Sequence, residues 1–265
     1  MSISAPTAGL QPPYGATRPG RVIAVASGKG GVGKTWFSIT LAHAMARRGR
    51  RVLLFDGDLG LANVDIQLGL MPKSDLGAVI DGALSLAAAI HPHGEGFDIL
   101  AGRSGSGALA GLDPDELERL LDALAAAAYD AVVLDLGAGL GGAVRRMTSM
   151  ADTALVVATE EPTSLTDAYA VLKLLGSDHD AMRKPARDVR VIVNQAATRQ
   201  AGERTFATLA KACATFLGWA PILGGIVRRD DRVRDAIRRQ TPLLTRHPLS
   251  QAAADVEAAA AALDR

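Results

Sequence analysis

Cysteine is almost missing from these 265 residues: Cys213 stands alone. A single thiol forms no intramolecular disulfide and builds no cysteine-based zinc site, which excludes a disulfide-stapled or zinc-ribbon scaffold. A reducing, cytoplasmic setting is the simple expectation, with Cys213 a buried core residue in an apolar-periodic stretch. Aromatics are also scarce, at 4% of the chain, and the abundant alanine fits many tightly packed helices. Formal charge is nearly balanced at +1, which argues against a surface built as a whole for nucleic acid or anionic lipid. No apolar run approaches the roughly 20 residues of a membrane-spanning helix. The first 20 residues carry Pro6, Pro12, Pro13 and Pro19 without the charged-then-apolar order of a signal peptide. They read as a flexible N-terminal arm.

What the chain has is apolar mass, 48% of its residues, in an alternating pattern. Apolar runs at 21–27, 51–55, 97–101, 131–134, 153–158, 189–193 and 222–227 predict strands. Helical patterns fall at 34–48, 114–127, 141–150, 165–175, 203–217 and 230–239, and an alanine-rich tail follows Pro248. Continuous apolar strands alternating with helices predict an α/β fold, a doubly wound and mostly parallel sheet flanked by helices. The expected organisation is an arm over 1–20, one domain over 21–248 and a C-terminal helix over 249–265. The string SLTD at 164–167 has the form of a capping box opening the helix after Pro162.

Ligands of such sheets bind beyond the carboxyl ends of the strands. Glycines and carboxylates gather there. Gly28, Lys29, Gly30, Gly31, Val32, Gly33, Lys34 and Thr35 follow the first strand and open a helix. That is the setting of a P-loop, whose backbone N–H groups turn inward on phosphate oxygens. Lys34 supplies charge to the β- and γ-phosphates, and the Thr35 hydroxyl is a Mg²⁺ ligand. Asp56 and Asp58 end the second strand, and Asp135 opens an Asp-x-x-x-Gly segment ending at Gly139. Asn194 stands where a G-protein-type GTPase carries Asn-Lys-x-Asp, and the guanine-reading aspartate is missing.

The segment KGGVGKT at 29–35 resembles the deviant Walker A motif of the MinD/ParA ATPases. The resemblance implies ATP or ADP with Mg²⁺ as ligands and slow ATP hydrolysis by a homodimer that forms with ATP. It implies that Lys29 reaches the partner subunit's nucleotide and that Asp58 positions the attacking water. Asp56 is implied as a helper to the magnesium shell, and Asp135 as holder of a magnesium-bound water. Asn194 is implied to contact adenine, and the loop 228–231 to close over the base. Trp36 stands where the family usually has a small polar residue. Its backbone N–H remains for the α-phosphate, and its ring is expected beside the nucleotide.

Longer strings at 58–65 (DLGLANVD), 161–170 (EPTSLTDAYA) and 233–240 (VRDAIRRQ) resemble the flagellar-number regulators FlhG and FleN. They imply a cytoplasmic switch acting on flagellar number or placement, brought to the cell pole or membrane through partners. Family partners are an FlhF-like GTPase, flagellar switch proteins and a FleQ-like transcription activator. A ParA-like partitioning ATPase and a MinD-like division-site ATPase stay open as alternatives. The arginines near 228–239 alternate with Asp230, Asp231 and Asp235, which favours a solvated helix face over a DNA-binding one. The tail offers Asp255, Glu257 and Asp264 and only Arg265 as a base, so weak or absent membrane binding is expected of it.

Overall fold

The computed structural model describes residues 20–58, 62–102, 112–182 and 188–264. The arm expected over 1–20 therefore lies outside the described residues apart from Gly20, as do positions 59–61 of the string at 58–65. The strands are β1 (Arg21–Ser27), β2 (Val52–Gly57), β3 (Ile90–Pro92), β4 (Phe97–Leu100), β5 (Ala131–Ala138), β6 (Thr153–Ala158), β7 (Val189–Ala196) and β8 (Ile222–Arg228). They form one eight-stranded sheet in the order β3-β4-β2-β5-β1-β6-β7-β8. All pairings are parallel except the edge pair of β3 with β4. The chain leaves central β1 to one side and later returns to its other side. The resulting crevice lies at the carboxyl ends of β1, β5 and β6.

The helices are α1 (Lys34–Arg47), α2 (Val64–Leu68), α3 (Leu76–Ile80), α4 (Leu86–Ala89), α5 (Pro114–Ala126), α6 (Gly142–Met150), α7 (Pro162–Ala181), α8 (Arg199–Leu217), α9 (Asp231–Arg238), α10 (Leu243–Arg246) and α11 (Gln251–Leu263). Successive strand residues face opposite sides, so both faces need cover. Ile23, Val25 and Leu54 join a core built with α1, α9, α10 and α11. Val22, Ala24, Leu53 and Phe55 join the opposite core under α3 to α6. A third cluster packs α7 and α8 on β6 and β7. Cys213 is buried within it, as expected, and burial pushes its thiol up to about 11.

Two helix starts differ from the sequence expectation. The Ser164 hydroxyl does not cap a helix. It lies inside α7 and accepts the N–H of Thr159 at 2.9 Å, while Pro162 already occupies the first turn. Proline fits there because its missing N–H would have had no helical partner. Helix α8 starts at Arg199, earlier than expected, because the Thr198 side chain accepts the Ala201 N–H at 3.0 Å.

The tail helix α11 packs on α1 and β8. Ala252, Ala253, Val256, Ala259, Ala260 and Leu263 are all buried. Small residues let it come close: a Cβ on Gly225 of β8 would lie 3.1 Å from Ala259 Cβ. The tail's acids also find partners. Asp264 pairs with Arg48 at 2.7 Å and Arg50 at 3.3 Å, and Glu257 pairs with Arg47 at 3.1 Å. Arg190 donates to the Ala262 carbonyl at 2.9 Å, placing a cation at the helix's negative end. Asp255, only 2% exposed in its side chain, receives the Arg228 guanidinium at 2.8 Å and its backbone N–H at 3.0 Å.

His43 on α1 is buried, with Glu95 3.6 Å away. Burial, opposed by Glu95, lowers its pKa from 6.5 to about 4. Below pH 6.5 the unfolded chain takes up a proton at His43 that the folded chain refuses, so stability falls as pH drops toward 4. His43→Phe is expected to flatten the loss of denaturation midpoint between pH 6.5 and pH 5; an unchanged pH slope in urea titrations would count against this assignment.

Candidate nucleotide site

The loop between β1 and α1 is shaped for an anion. Its Ser27 hydroxyl donates to the Lys29 carbonyl at 2.7 Å. Gly31 and Gly33 take φ values of +79° and +90°, the left-handed region that glycine tolerates. Gly33 is also the N-cap of α1, and no side chain caps this helix start. The first-turn N–H groups are thus left for a phosphate. A Cβ on Gly33 would meet Asn194 Nδ2 at 2.5 Å, and one on Gly28 would meet the Asp167 carbonyl of α7 at 2.4 Å. Glycine is needed at both places for close approach. Lys34, at the first helical position, is 7% exposed.

Asp56 and Asp135 are direct neighbours across β2 and β5, each about 1% exposed. The pKa of each is raised, mainly by burial, and the charge of Asp135 adds to the rise at Asp56. The Thr35 and Ser38 hydroxyls and the Lys34 charge oppose the rise at Asp135. Asp135 Oδ1 accepts the Ser38 hydroxyl at 2.9 Å, while its buried Oδ2 has no hydrogen-bond partner. An unpaired carboxylate oxygen beside a threonine hydroxyl suits Mg²⁺, which keeps several waters and uses one or two protein ligands. Asp56 serves differently. Its oxygens accept the N–H groups of Asp58 at 3.3 Å, Asn63 at 3.0 Å and Val64 at 3.0 Å. It anchors the chain entering α2. Asp58 lies against Gly137, where a Cβ would come 3.2 Å from Asp58 Oδ1. The two carboxylate loops therefore meet beside the phosphate loop.

Lys29 Nζ pairs with Glu161 Oε2 at 2.6 Å and contacts the Thr163 hydroxyl at 2.9 Å. The hydrogen bond and charge of Lys29 lower the Glu161 pKa. Within one chain, then, Lys29 is turned to the start of α7. The sequence reading missed these partners and also Ser38. Ser38's only signal is a hydroxyl one helical turn after Lys34.

A cavity of about 340 Å³ continues from Gly31 and Gly33 past Trp36, Asn194 and Gln195 to residues 228–231. Trp36 forms a wall, with its indole N–H buried and unpartnered. Asn194 Nδ2 donates to the Val32 carbonyl at 2.8 Å, and its Oδ1 accepts the Gln195 N–H at 2.9 Å. Its amide clamps the phosphate loop from below. A larger cavity of about 480 Å³, lined by Arg51, Leu86, Ile90 and Tyr129, lies at the amino ends of the strands, away from all of these groups.

Residues 23–243 match the CobQ/CobB/MinD/ParA nucleotide binding domain. The chain belongs to this family. It is 40% identical to the antiactivator FleN of Pseudomonas aeruginosa over 252 residues, covering 94% of this chain and 88% of FleN. It is 29% identical to the flagellum site-determining protein YlxH of Helicobacter pylori, covering 84% and 76% of the two chains. Among solved structures, the cell division ATPase MinD of Pyrococcus furiosus superposes with a TM-score of 0.75 at 25% identity, covering 92% of this chain and 98% of that one. MinD of Pyrococcus horikoshii, solved with Mg-ADP, gives 0.75 at 25% identity, covering 92% and 96%. These solved relatives thus share the overall fold of this chain. Among the described residues no helix is long and apolar enough to cross a membrane.

Trp36 and Trp219 are the two tryptophans of the chain. In a Trp219→Phe background the emission of Trp36 is expected to change on addition of MgADP, and Lys34→Ala is expected to abolish that change with a loss of affinity of about 100-fold or more, since a charge-assisted phosphate contact is removed. Retained MgADP affinity in Lys34→Ala, read by calorimetry, would refute the phosphate-loop assignment.

Proposed function

We propose that this protein is an ATP-dependent dimerising switch that hydrolyses ATP slowly to ADP and phosphate and acts on flagellar number or placement. The observation that carries the ATP reading is the uncapped start of α1 facing the buried, half-paired Asp135. Phosphate oxygens fit the backbone N–H groups of 30–35, and Lys34 neutralises the β- and γ-phosphates. Thr35 and Asp135 are the residues that would hold Mg²⁺, which supplies charge neutralisation at the transferring phosphoryl group. Asp58, set against Gly137, orients the attacking water. Of the two glycines that could give a main-chain N–H to the terminal phosphate, Gly137, beside Asp58, is the better placed, since the Gly139 N–H is taken by the Ser27 carbonyl at 2.9 Å. The base occupies the cavity between Trp36 and 228–231, with Asn194 fixing the loop below it.

Lys29 completes the site of a second subunit. To do so it must leave Glu161 and Thr163, an exposed ion pair that costs little to break. Dimerisation and turnover are thereby linked through one side chain, and stabilisation from a partner subunit is the logic of an arginine finger. The flagellar reading rests on the 40% identity with the antiactivator FleN. It extends to a FleQ-like activator, an FlhF-like GTPase or flagellar switch proteins as partners, and to a cytoplasmic protein recruited to the pole or membrane by them. Deletion of the gene followed by counting flagella per cell tests it; an unchanged count with a defect in plasmid or cargo segregation would favour a partitioning role instead. DNA binding is not favoured, because Arg228 is tied to Asp255 and Arg232 lies 4.0 Å from Asp230.

Lys29→Ala is expected to bind MgATP normally and to lose dimer-dependent turnover by about 10³-fold, the scale of removing a finger residue. Asp58→Ala is expected to accumulate as an ATP-bound dimer, doubling the mass read by light scattering. A Lys29→Ala protein with wild-type hydrolysis, or an Asp58→Ala protein that stays monomeric and still turns over, contradicts these roles.

A further inference from the structure

Gln240 follows α9 at a backbone position that glycine usually fills. Its φ is +50°. Its N–H donates to the Ile237 carbonyl at 3.0 Å, and the next N–H, of Thr241, donates to Ala236 at 3.1 Å. These two bonds make a helix-ending turn of the kind in which the left-handed residue is most often glycine. A glutamine there carries a steric cost that glycine would not. The side chain shows what the cost is matched against. Gln240 Nε2 donates to the Ile66 carbonyl of α2 at 2.8 Å. The facing end of α2 makes room for it: Gly69 takes φ +64°, and a Cβ there would lie 3.1 Å from Gln240 Oε1. One exposed hydrogen bond is of the same order as the strain it accompanies, so net stability does not account for the residue.

Its place in the fold does. The start of α2 is hung on Asp56, whose Oδ2 accepts the Asn63 and Val64 N–H groups at 3.0 Å each. The end of α2 is held by Gln240, directly after α9, whose Asp231, Val233, Arg234 and Ile237 line the base-side cavity. Helix α2 is thus suspended between the carboxylate side of the site and the base side. We propose that Gln240 is a positioning residue: it transmits the placement of α9 to α2, and through α2 to the Asp56 carboxylate, which accepts the Asn63 and Val64 N–H groups at the start of α2 and also the Asp58 N–H at 3.3 Å. The inference deepens the proposed ATPase function, since it assigns a second support to the residue that orients water. It also accounts for part of the string at 233–240 that nucleotide contacts leave unexplained.

Two variants separate the side chain from the backbone. Gln240→Gly removes both the strain and the bond. Gln240→Glu keeps the length and the strain but, ionised, has no N–H to donate. Hydrogen–deuterium exchange over 64–70 is read with and without MgADP, beside melting temperature, MgADP affinity and steady-state kinetics. In the wild type MgADP is expected to slow exchange over 64–70. In both variants that protection is expected to vanish, while MgADP affinity stays within about 2-fold and kcat falls about 10-fold at unchanged KM, the mark of a lost transition-state interaction. Gln240→Gly is expected to melt within about 2 °C of the wild type, because relief of strain offsets the lost bond. Nucleotide-dependent protection and kcat that survive in both variants would overturn the inference, as would a kcat loss matched by an equal loss of MgADP affinity. A wild type that shows the protection but no turnover would sink the ATPase reading and leave the strut standing.

Discussion

Two carboxylates held side by side in a nearly water-free environment set the terms for the whole molecule. Asp56 and Asp135 are adjacent across β2 and β5, and the fold opposes their ionisation through burial. Placing both there is costly in isolation. Each has been given a different resolution. Asp56 is surrounded by three main-chain donors, which turns it into the root of the segment leading to α2. Asp135 accepts the Ser38 hydroxyl on one oxygen, with the Thr35 hydroxyl nearby, and keeps the other oxygen without a hydrogen-bond partner. One acid therefore organises the chain around it, and the other keeps the oxygen that the proposed function assigns to Mg²⁺. The positive end of α1 and the Lys34 charge make this unpaired oxygen tolerable, and under the proposed function the same groups would meet a polyphosphate.

The phosphate loop was legible because its chemistry demands residue types that are rare in combination: glycines at left-handed positions, a lysine opening a helix, a hydroxyl next to it. The strands were legible for a similar reason, since burial on both faces leaves uninterrupted apolar runs. The ends of those strands were less so. β5 continues through Asp135 to Ala138, and β7 through Asn194 to Ala196. Polar residues read as loop, but here they remain within the ladder because their partners lie inside the protein. The short helices α2, α3, α4 and α10 gave too few residues for a periodic signal, and the three-residue β3 could not alternate long enough to be seen.

The pairs formed by single side chains were the least visible. Nothing in the spacing of Lys29 and Glu161 says that they meet, because they are brought together by two separate crossovers of the chain. The same holds for Arg228 with Asp255 and for Gln240 with Ile66. Family resemblance singled out Lys29 and said nothing of its partner in the single chain. Asn194 was expected at the base. The geometry shows its amide bridging the phosphate loop and β7, so its first duty is to hold the loop at its depth.

The tie between Arg228 and Asp255 gives α11 an influence beyond packing. Its apolar face is fully engaged by α1 and β8, so a lipid surface competing for that face would have to peel the helix from the body of the protein. Peeling would strand Arg228 without its counter-ion and loosen the strand end that borders the base-side cavity. For this chain, membrane insertion of α11 and a well-formed nucleotide cavity are thermodynamically antagonistic: each gain in one is a loss in the other.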